Sequence, residues 1–515
     1  MSAPRPASLT SSSLRDLALL VAAPTDDLHD ADDVKVNGVT LDSRAVRPGD
    51  LYAALPGARA HGADFGAQVA DAGAAGVLTD ADGVARLRAA GVELPVITVD
   101  APRSVLGAIS AHIYGTTDLN LTMVGITGTN GKTTTAYLMA SALEVLGHRT
   151  GLIGTVETRI GDERIKSVRT TPETTDLHAI LAVMDERDTD TCVMEVSSHA
   201  LSQHRVDGVV YDLSLFTNLS QDHLDFHADM EDYFAAKAQL FTPERSTRAL
   251  VCVDDVWGRR LADESAVPVT TLTTLEDQKA DWVVIVNAAE PSRFALRGSN
   301  IELDLRSALP GDFNVANTAM AAVALLLLGE DTDAVGRAIH TDPHVPGRME
   351  KVTLTQAADV ESGLLAVVDY AHTPDAVEAA LAALRPTTSG RLVVVLGAGG
   401  DRDRGKRHGM GRAAAALADV VVVTDDNPRS EDPAVIRAAV VEGARTVDTS
   451  AVIVEVGGRR DAIREAVRLA REGGPGSVIA VVGKGHETGQ EVAGEVQPFD
   501  DRDELRAALD AEVAS

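Results

Sequence analysis

The stretch "VGITGTNGKTTTAYLM", residues 124–139, decides how the chain is read. An apolar run, "LNLTMVGIT", leads into a glycine-rich loop, after which Leu138, Ala142, Leu143 and Leu146 recur at helical spacing and Gly147 stands at a C-terminal cap position. The pattern predicts a buried strand, a loop and a helix. Such a loop exposes successive backbone N–H groups beside the positive end of the helix, an arrangement that favours a phosphate chain. Within it, Gly128, Thr129, Asn130, Gly131 and Thr134 would form the cradle, Lys132 would neutralise terminal phosphate charge and Thr133 would ligate magnesium. The spacing departs from the common G-x-x-x-x-G-K-[ST] rule, since Ile126 stands where that pattern has glycine.

The 515 residues around this loop exceed what one core can organise, and ordinary domain sizes suggest roughly three or four folding units. Apolar content of 45% makes them globular, and only 3% aromatics means cores of Ala, Val and Leu. A formal charge of −30 repels nucleic acid and anionic membranes at long range, so a broad nucleic-acid-binding role is excluded and any anionic ligand needs local basic residues. With Cys192 and Cys252 alone, there is neither a disulfide framework nor zinc-binding cysteine pairs. No apolar run approaches the roughly 20 residues of a membrane span. A monomer in the cytoplasm, without membrane insertion, is expected. The opening "MSAPRPASLTSSS" reads as a loose tail.

Before the loop, "GVTLD", "GDLYAAL", "AAGVLT" and "LPVITV" predict a small α/β unit. After it, strands at "GLIGTV", "TCVMEV" and "YDLSLFTNL" argue for a parallel sheet covered on both faces. Residues around 265–310 read as an antiparallel flap, and "DPHVPGRME" as a second boundary. Beyond it "LLAVVDY", "PDAVEAALAAL", "RLVVVLGAG", "GRAAAALA", "DVVVVTDD", "DPAVIRAAVVEGA" and "SVIAVVGKG" alternate as a second doubly wound sheet. Because Arg402 occupies the third glycine position of "GAGGDRDRG", a redox dinucleotide is discounted there.

Glu195 falls at the carboxyl end of a predicted strand, the edge where open α/β sheets bind ligands, and the upstream phosphate loop favours a magnesium ligand over a simple strand cap. "NLSQDHLDFHADMEDYFAAKAQLF" crowds Asp222, His223, Asp225 and His227 ahead of a helix bearing Lys237. No zinc spacing is present, and periodicity by itself leaves Lys237 an ordinary surface lysine.

These segments, with "EVSSHALSQHR", "FNVAN", "PGRME", "DYAHTPDA" and "GAGGDRDRGKR", resemble the Mur ligases, ATP-dependent amide-forming enzymes of peptidoglycan precursor synthesis, from about residue 39 to 500. The resemblance accounts for Ile126, because GTNGK[ST] is that family's own phosphate loop. It implies an α/β fold of three domains: a small UDP-binding domain (1–117), a central parallel-sheet ATPase domain (118–345) and a C-terminal Rossmann-like domain (346–515) for the incoming amino acid. It also implies that ATP phosphorylates the D-glutamate carboxylate of UDP-N-acetylmuramoyl-L-alanyl-D-glutamate, and that an amine then displaces phosphate.

By the same resemblance, Thr133 and Glu195 would hold one of two Mg²⁺ ions, with the second near His223 and a carbamylated Lys237, and Asn314, Asn317, Arg348, Asp369 and His372 would contact ATP. Leu41, Ser43, Ala58, Arg59, Ala60, Thr170, Thr171, Ser197, Gln203 and Arg205 would hold the UDP substrate; Arg169 stands where many relatives have asparagine. Asp426, Asn427, Pro428 and Arg429 resemble the D-N-P-R signature of enzymes adding meso-diaminopimelate, completed by Arg402, Gly483 and Glu487. A guanidinium can grip that amino acid's second carboxylate. The alternatives are a ligase of the same family using L-lysine or another diamino acid, a folylpolyglutamate synthetase, and a catalytically silent nucleotide-binding scaffold.

Overall fold

The fold is seen in a computed structural model that describes residues 3–9, 11–25, 34–57 and 59–511, so Ala58 lies outside the described residues. Three sheets carry it. The first has four parallel strands, Gly38–Thr40, Asp50–Ala53, Gly76–Thr79 and Val96–Thr98, in sequential order. These coincide with the four runs picked out by composition. The preceding residues are not a loose tail: Ser12–Ser13 pairs with Lys35–Val36, and Arg5 grips Asp50 through two hydrogen bonds of 2.6 and 2.8 Å. Asp50 is 1% exposed and recruits the arginine because a buried carboxylate needs a paired cation.

The central sheet has eleven strands. Its parallel middle places Thr122–Thr127 between Thr191–Glu195 and Leu213–Phe216, so the loop that follows the first strand and the carboxylate that ends the second open on the same edge. Continuous apolar runs suit these strands, since helices cover both faces: Lys132–Val145 and Asp312–Leu328 lie in one core cluster, and Thr174–Glu186 contributes to the other. The flap expected at 265–310 is narrower and is no separate element. Val269–Thr273 and Trp282–Val286 still pair in parallel, and the antiparallel pairings begin where Arg293–Arg297 joins Trp282–Val286 and Glu302–Arg306 joins Arg293–Arg297, extending the same sheet.

In the third sheet, Leu365–Asp369, Val478–Val482, Leu392–Leu396, Val420–Val423 and Val452–Glu455 run parallel in that spatial order, with Glu350–Lys351 antiparallel on the edge. The last-formed parallel strand is thus inserted beside the first, bringing the loop after Val482 next to Asp369. The strand Val452–Glu455 and the helix Arg459–Glu472 add to the elements expected from the sequence.

The joint between the first two units is built around His178, which is fully buried, with Nδ1 2.6 Å from Thr116 Oγ1 and Nε2 2.9 Å from the Asp207 carbonyl. Burial pushes its pKa down to about 4, the Asp207 carbonyl opposing. The unfolded chain therefore takes up a proton that the folded chain refuses, and stability falls as pH drops from about 6.5 towards 4, by about 3 kcal/mol across the window. Urea midpoints measured over this range should fall less steeply for His178→Gln; an unchanged slope would remove His178 as the cause.

Candidate active site

Gly131, the N-cap of Lys132–Val145, has φ +89, and a Cβ there would overlap Asn317 Oδ1. At Gly128 a Cβ would overlap Thr217 Oγ1. Both positions accept only glycine because the loop is packed against its neighbours. Residues 217–220 pin it: Thr129 N and Asn130 N donate to Asn218 O and Oδ1, each at 2.9 Å, and Thr217 Oγ1 donates to Asn130 O at 2.6 Å. The cradle is therefore held in shape by protein contacts alone.

Lys132 Nζ folds back onto the carbonyls of Gly128 (3.0 Å) and Thr129 (2.9 Å). Burial lowers its pKa, with Glu195 and Asp222 opposing. Glu195 is 1% exposed and is more than a strand cap. Its Oε2 accepts from Thr133 Oγ1 and Thr155 Oγ1, both at 2.9 Å, and its Oε1 accepts from Thr155 N at 2.8 Å. Thr155, which joins this network and also touches Thr170 at 3.0 Å, gave no signal in the sequence, since a lone threonine after a strand carries no periodicity.

Lys237 is the buried surprise of the helix Met230–Ala238. It is 1% exposed, donates to the Gly128 carbonyl at 2.8 Å and lies 4.6 Å over the Tyr233 ring. Burial, aided by the neighbouring Lys132 charge and opposed by Asp222, holds its pKa well below the ordinary lysine value. The expectation of an ordinary surface lysine from periodicity fails because the face carrying Lys237 packs beneath the phosphate loop. His223 adopts a left-handed backbone, φ +56, a strained conformation for a non-glycine residue. Its ring meets His199 edge-on at 5.0 Å, and His199 stacks on Phe226 at 4.1 Å. Burial lowers the pKa of His223 against the pull of Asp222, whereas burial alone would lift Asp222 and facing His223, His372 and Lys406 bring it below the usual range.

The third unit closes over this edge. Arg348 stacks on Tyr370 at 4.3 Å and reaches Thr133 Oγ1 at 3.4 Å, while His372 Nε2 is 4.0 Å from Asp222 Oδ2. Asp369 accepts from Met349 N and Ala371 N at 2.7 and 2.8 Å, its pKa raised by burial with Arg348 opposing. Asn314 is buried within the helix rather than capping it, since the N-cap is Gly311; it donates to Pro310 O at 2.7 Å and accepts from Asn317 at 3.2 Å. The expected nucleotide residues thus lie on the phosphate loop, on the helix packed against it, or on the part of the third unit that reaches it.

The residues expected to bind the UDP substrate fall in two places. Thr171 Oγ1 donates to the Glu195 carbonyl at 2.9 Å and to Ser197 Oγ at 3.3 Å. Arg205 donates to Gln203 Oε1 at 2.6 Å and lies 3.1 Å from Glu173 Oε1. Arg103 and Arg169 converge on the same glutamate at 3.0 and 3.7 Å. Burial lowers the Arg205 pKa against the pull of Glu173. Three guanidiniums around one carboxylate supply the local positive charge that the acidic chain otherwise lacks. Leu41, Ser43, Arg59 and Ala60 lie on loops of the first unit; Leu41 packs against its core, and the Ser43 carbonyl accepts from Gln68 at 3.3 Å.

In the third unit, Asp426 and Asn427 are buried, and the Asn427 amide donates to Glu487 Oε2 (2.8 Å) and accepts from Glu491 N (2.9 Å) and Lys484 Nζ (3.1 Å). A Cβ on Gly483 would sit 2.7 Å from Asp426 Oδ2. Pro428 is followed by Arg429 at φ +51, whose side chain donates to the Gly400 carbonyl at 2.7 Å and lies 3.3 Å from Glu491 Oε2. Arg402 lies 3.6 Å from Asp225 of the central unit and flanks Gly399 together with Arg429.

A phosphate loop roofed by a second α/β unit defines a nucleotide-using enzyme that works in a crevice between domains. Residues 35–114 match the pattern described as "Mur ligase family, catalytic domain", residues 126–325 the "Mur ligase middle domain" and residues 347–511 the "Mur ligase, glutamate ligase domain". The chain is 53% identical over 511 residues, 98% of each chain, to the UDP-N-acetylmuramoyl-L-alanyl-D-glutamate--2,6-diaminopimelate ligase of Streptomyces avermitilis. It is 47% identical over 504 residues, 96% of each, to the UDP-N-acetylmuramyl-tripeptide synthetase of Leifsonia xyli subsp. xyli. A solved UDP-N-acetylmuramoyl-L-alanyl-D-glutamate--2,6-diaminopimelate ligase superposes with a TM-score of 0.65 at 29% identity, over 97% of this chain and 99% of that one. The chain belongs to the Mur ligase family, whose members are ATP-dependent ligases.

Proposed function

We propose that this chain joins meso-diaminopimelate to UDP-N-acetylmuramoyl-L-alanyl-D-glutamate, with ATP converted to ADP and phosphate, in peptidoglycan precursor synthesis. Support comes from relatives named for that reaction and, above all, from Arg429, whose guanidinium is held in the third unit by the Gly400 carbonyl and Glu491, on the segment that carries Asp426 and Asn427. The glutamate carboxylate is a poor electrophile. Transfer of the γ-phosphoryl group to one of its oxygens creates an acyl phosphate; the amine then forms the C–N bond, loses a proton, and phosphate departs.

The loop N–H groups and Lys132 hold the phosphates, Thr171, Ser197, Gln203 and Arg205 hold the substrate's acidic end, and Arg348, Asp369, His372, Asn314 and Asn317 hold the nucleoside side. The oxygen donors Thr133 and Glu195 suit Mg²⁺, which characteristically takes one or two carboxylates and fills its remaining positions with water and phosphate; among the described residues no cluster of three His, Cys, Asp or Glu competes as a protein-only cage. A second ion would be held by His223 and by Lys237 as its carbamate. Bound Mg²⁺ would shield the anions that must meet. Burial lowers the Lys237 pKa and so favours the neutral amine, the form that can attack CO₂, releasing one proton and converting a donor into an oxygen ligand.

Residues 1–117, 118–345 and 346–515 are taken as the three domains, acting as a cytoplasmic monomer; no helix among the described residues is long and apolar enough to cross a membrane. Arg429→Ala should reduce the preference for meso-diaminopimelate over L-lysine by roughly 10- to 100-fold, the worth of a charged hydrogen-bonded pair. Competition between the two amino acids, read by product mass, measures it. An unchanged ratio would leave Arg429 without a role in choosing the amine.

A further inference from the structure

Lys484 is fully buried, yet neither the sequence motifs nor the proposed reaction gives it a task. Its Nζ donates to Asn427 Oδ1 at 3.1 Å and Glu487 Oε2 at 3.0 Å and lies 3.8 Å from Asp426 Oδ1. All three partners line the amino-acid pocket. The other buried cation nearby, Arg459, is already neutralised, gripping Asp501 at 2.7 and 2.6 Å and donating to the Val482 carbonyl at 2.9 Å. A fully buried ammonium is expensive to hold and persists only where fixed acceptors surround it. Here those acceptors are the groups that would receive the ligand.

We infer that Lys484 is a positioning residue for the incoming diamino acid, fixing Asn427 and Glu487 so that the remaining carboxylate charge of Asp426 and Glu487 meets the ligand's distal ammonium. Asp426 and Glu487 bring two negative charges against the one positive charge of Lys484, so these three residues together keep a single negative charge, matched to one ammonium. Glu487 Oε2 is occupied by Lys484 and Asn427, and among the described residues its Oε1 has no hydrogen-bond partner. Without Lys484 the two carboxylates would repel each other, and Asn427 would lose one of the contacts that orient its amide towards Glu487. The pocket would then present the wrong charge in the wrong place.

This inference rests on the amino-acid site proposed above, so the wild-type enzyme is first given ATP, Mg²⁺, the UDP-dipeptide and meso-diaminopimelate or L-lysine. If neither is ligated, the proposed function fails before Lys484 is tested. With ligation established, Lys484→Met should raise the KM for the amino acid at least 10-fold and leave the KM values for ATP and the UDP-dipeptide within about 3-fold. Because Lys484 acts through Glu487, the double variant Lys484→Met/Glu487→Gln should be no worse than about 3-fold beyond the weaker single variant, far short of the product of the two effects. An amino-acid KM within 2-fold of wild type, or single-variant effects that multiply, would overturn the inference. If Lys484→Met does not fold, Lys484→Gln decides: its amide can still donate to Asn427 but lacks the charge. A rise of 5-fold or more in the amino-acid KM alone supports the role, and a smaller or nonselective rise refutes it.

Discussion

Replacing Lys237 with alanine should lower ligation by about 10³-fold or more while the thermal midpoint moves by only a few degrees. The two halves of this result follow from one geometry. Lys237 is buried against the Gly128 carbonyl and near Lys132, so as an ammonium it would place a second cation under the phosphate loop. As a carbamate it would instead present oxygens towards the site, and alanine can do neither. Removing a buried polar group offsets part of the packing lost with its stem, which is why folding should survive. The volume-conserving Lys237→Met separates packing from chemistry, because it too should be inactive. Rates of ADP release and calorimetric midpoints check both variants. Ligation within 10-fold of wild type would remove Lys237 from the reaction.

Gly131→Ala is the second large effect. The new Cβ would meet Asn317 Oδ1 on a backbone at φ +89, so the loop must shift or the Asn317 side chain must leave Thr135 and Asn314. A left-handed residue with a side chain costs about 1–2 kcal/mol before any clash, and a displacement of about 1 Å in a phosphate cradle is enough for a 10²-fold loss. Titration with a non-hydrolysable ATP analogue should show affinity reduced by about 10²-fold. An affinity within 3-fold of wild type would mean that the loop does not hold phosphate.

The parts of the fold that sequence disclosed are those whose cause is local. "LNLTMVGIT" is apolar because its strand is buried on both faces, and the four N-terminal runs match four observed strands for the same reason. Val452–Glu455 escaped because it is a half-exposed edge strand, whereas Arg459–Glu472, with "RRDAIREAVRLARE", carries a strong helical alternation that could have been found. The opening residues looked loose because nothing in them announces that Arg5 is taken up by Asp50, 45 positions away. Long-range pairing of this kind has no periodic signature.

The site divides in the same way. Gly128, Gly131, Lys132 and Thr133 were legible as a cradle because spacing sets their geometry. Glu195 was legible as a strand-end carboxylate, but its three hydrogen bonds from Thr133 and Thr155 depend on three segments meeting. Periodicity gave no sign of Lys237, which stood out only through the family resemblance, and Lys484 stands out only from its burial, which is a property of the packed chain. Arg402, which the family motif assigns to the amino acid, has Asp225 of the central unit as its ion-pair partner here, a contact between distant segments that no local pattern announces. Arg103, Arg169 and Arg205 gather on Glu173 from sites 70, 4 and 32 residues away.

The claim beneath all of this is that a cation-lined crevice couples ATP cleavage to a new peptide link on a diamino acid. The most direct measurement incubates the enzyme with ATP, Mg²⁺, UDP-N-acetylmuramoyl-L-alanyl-D-glutamate and one candidate amine at a time, and records ADP release and product mass together. The expected result is one ADP per new amide, with the mass of the meso-diaminopimelate adduct favoured over that of the L-lysine adduct. ADP release with no new amide for any amine, or neither product at all, would contradict it.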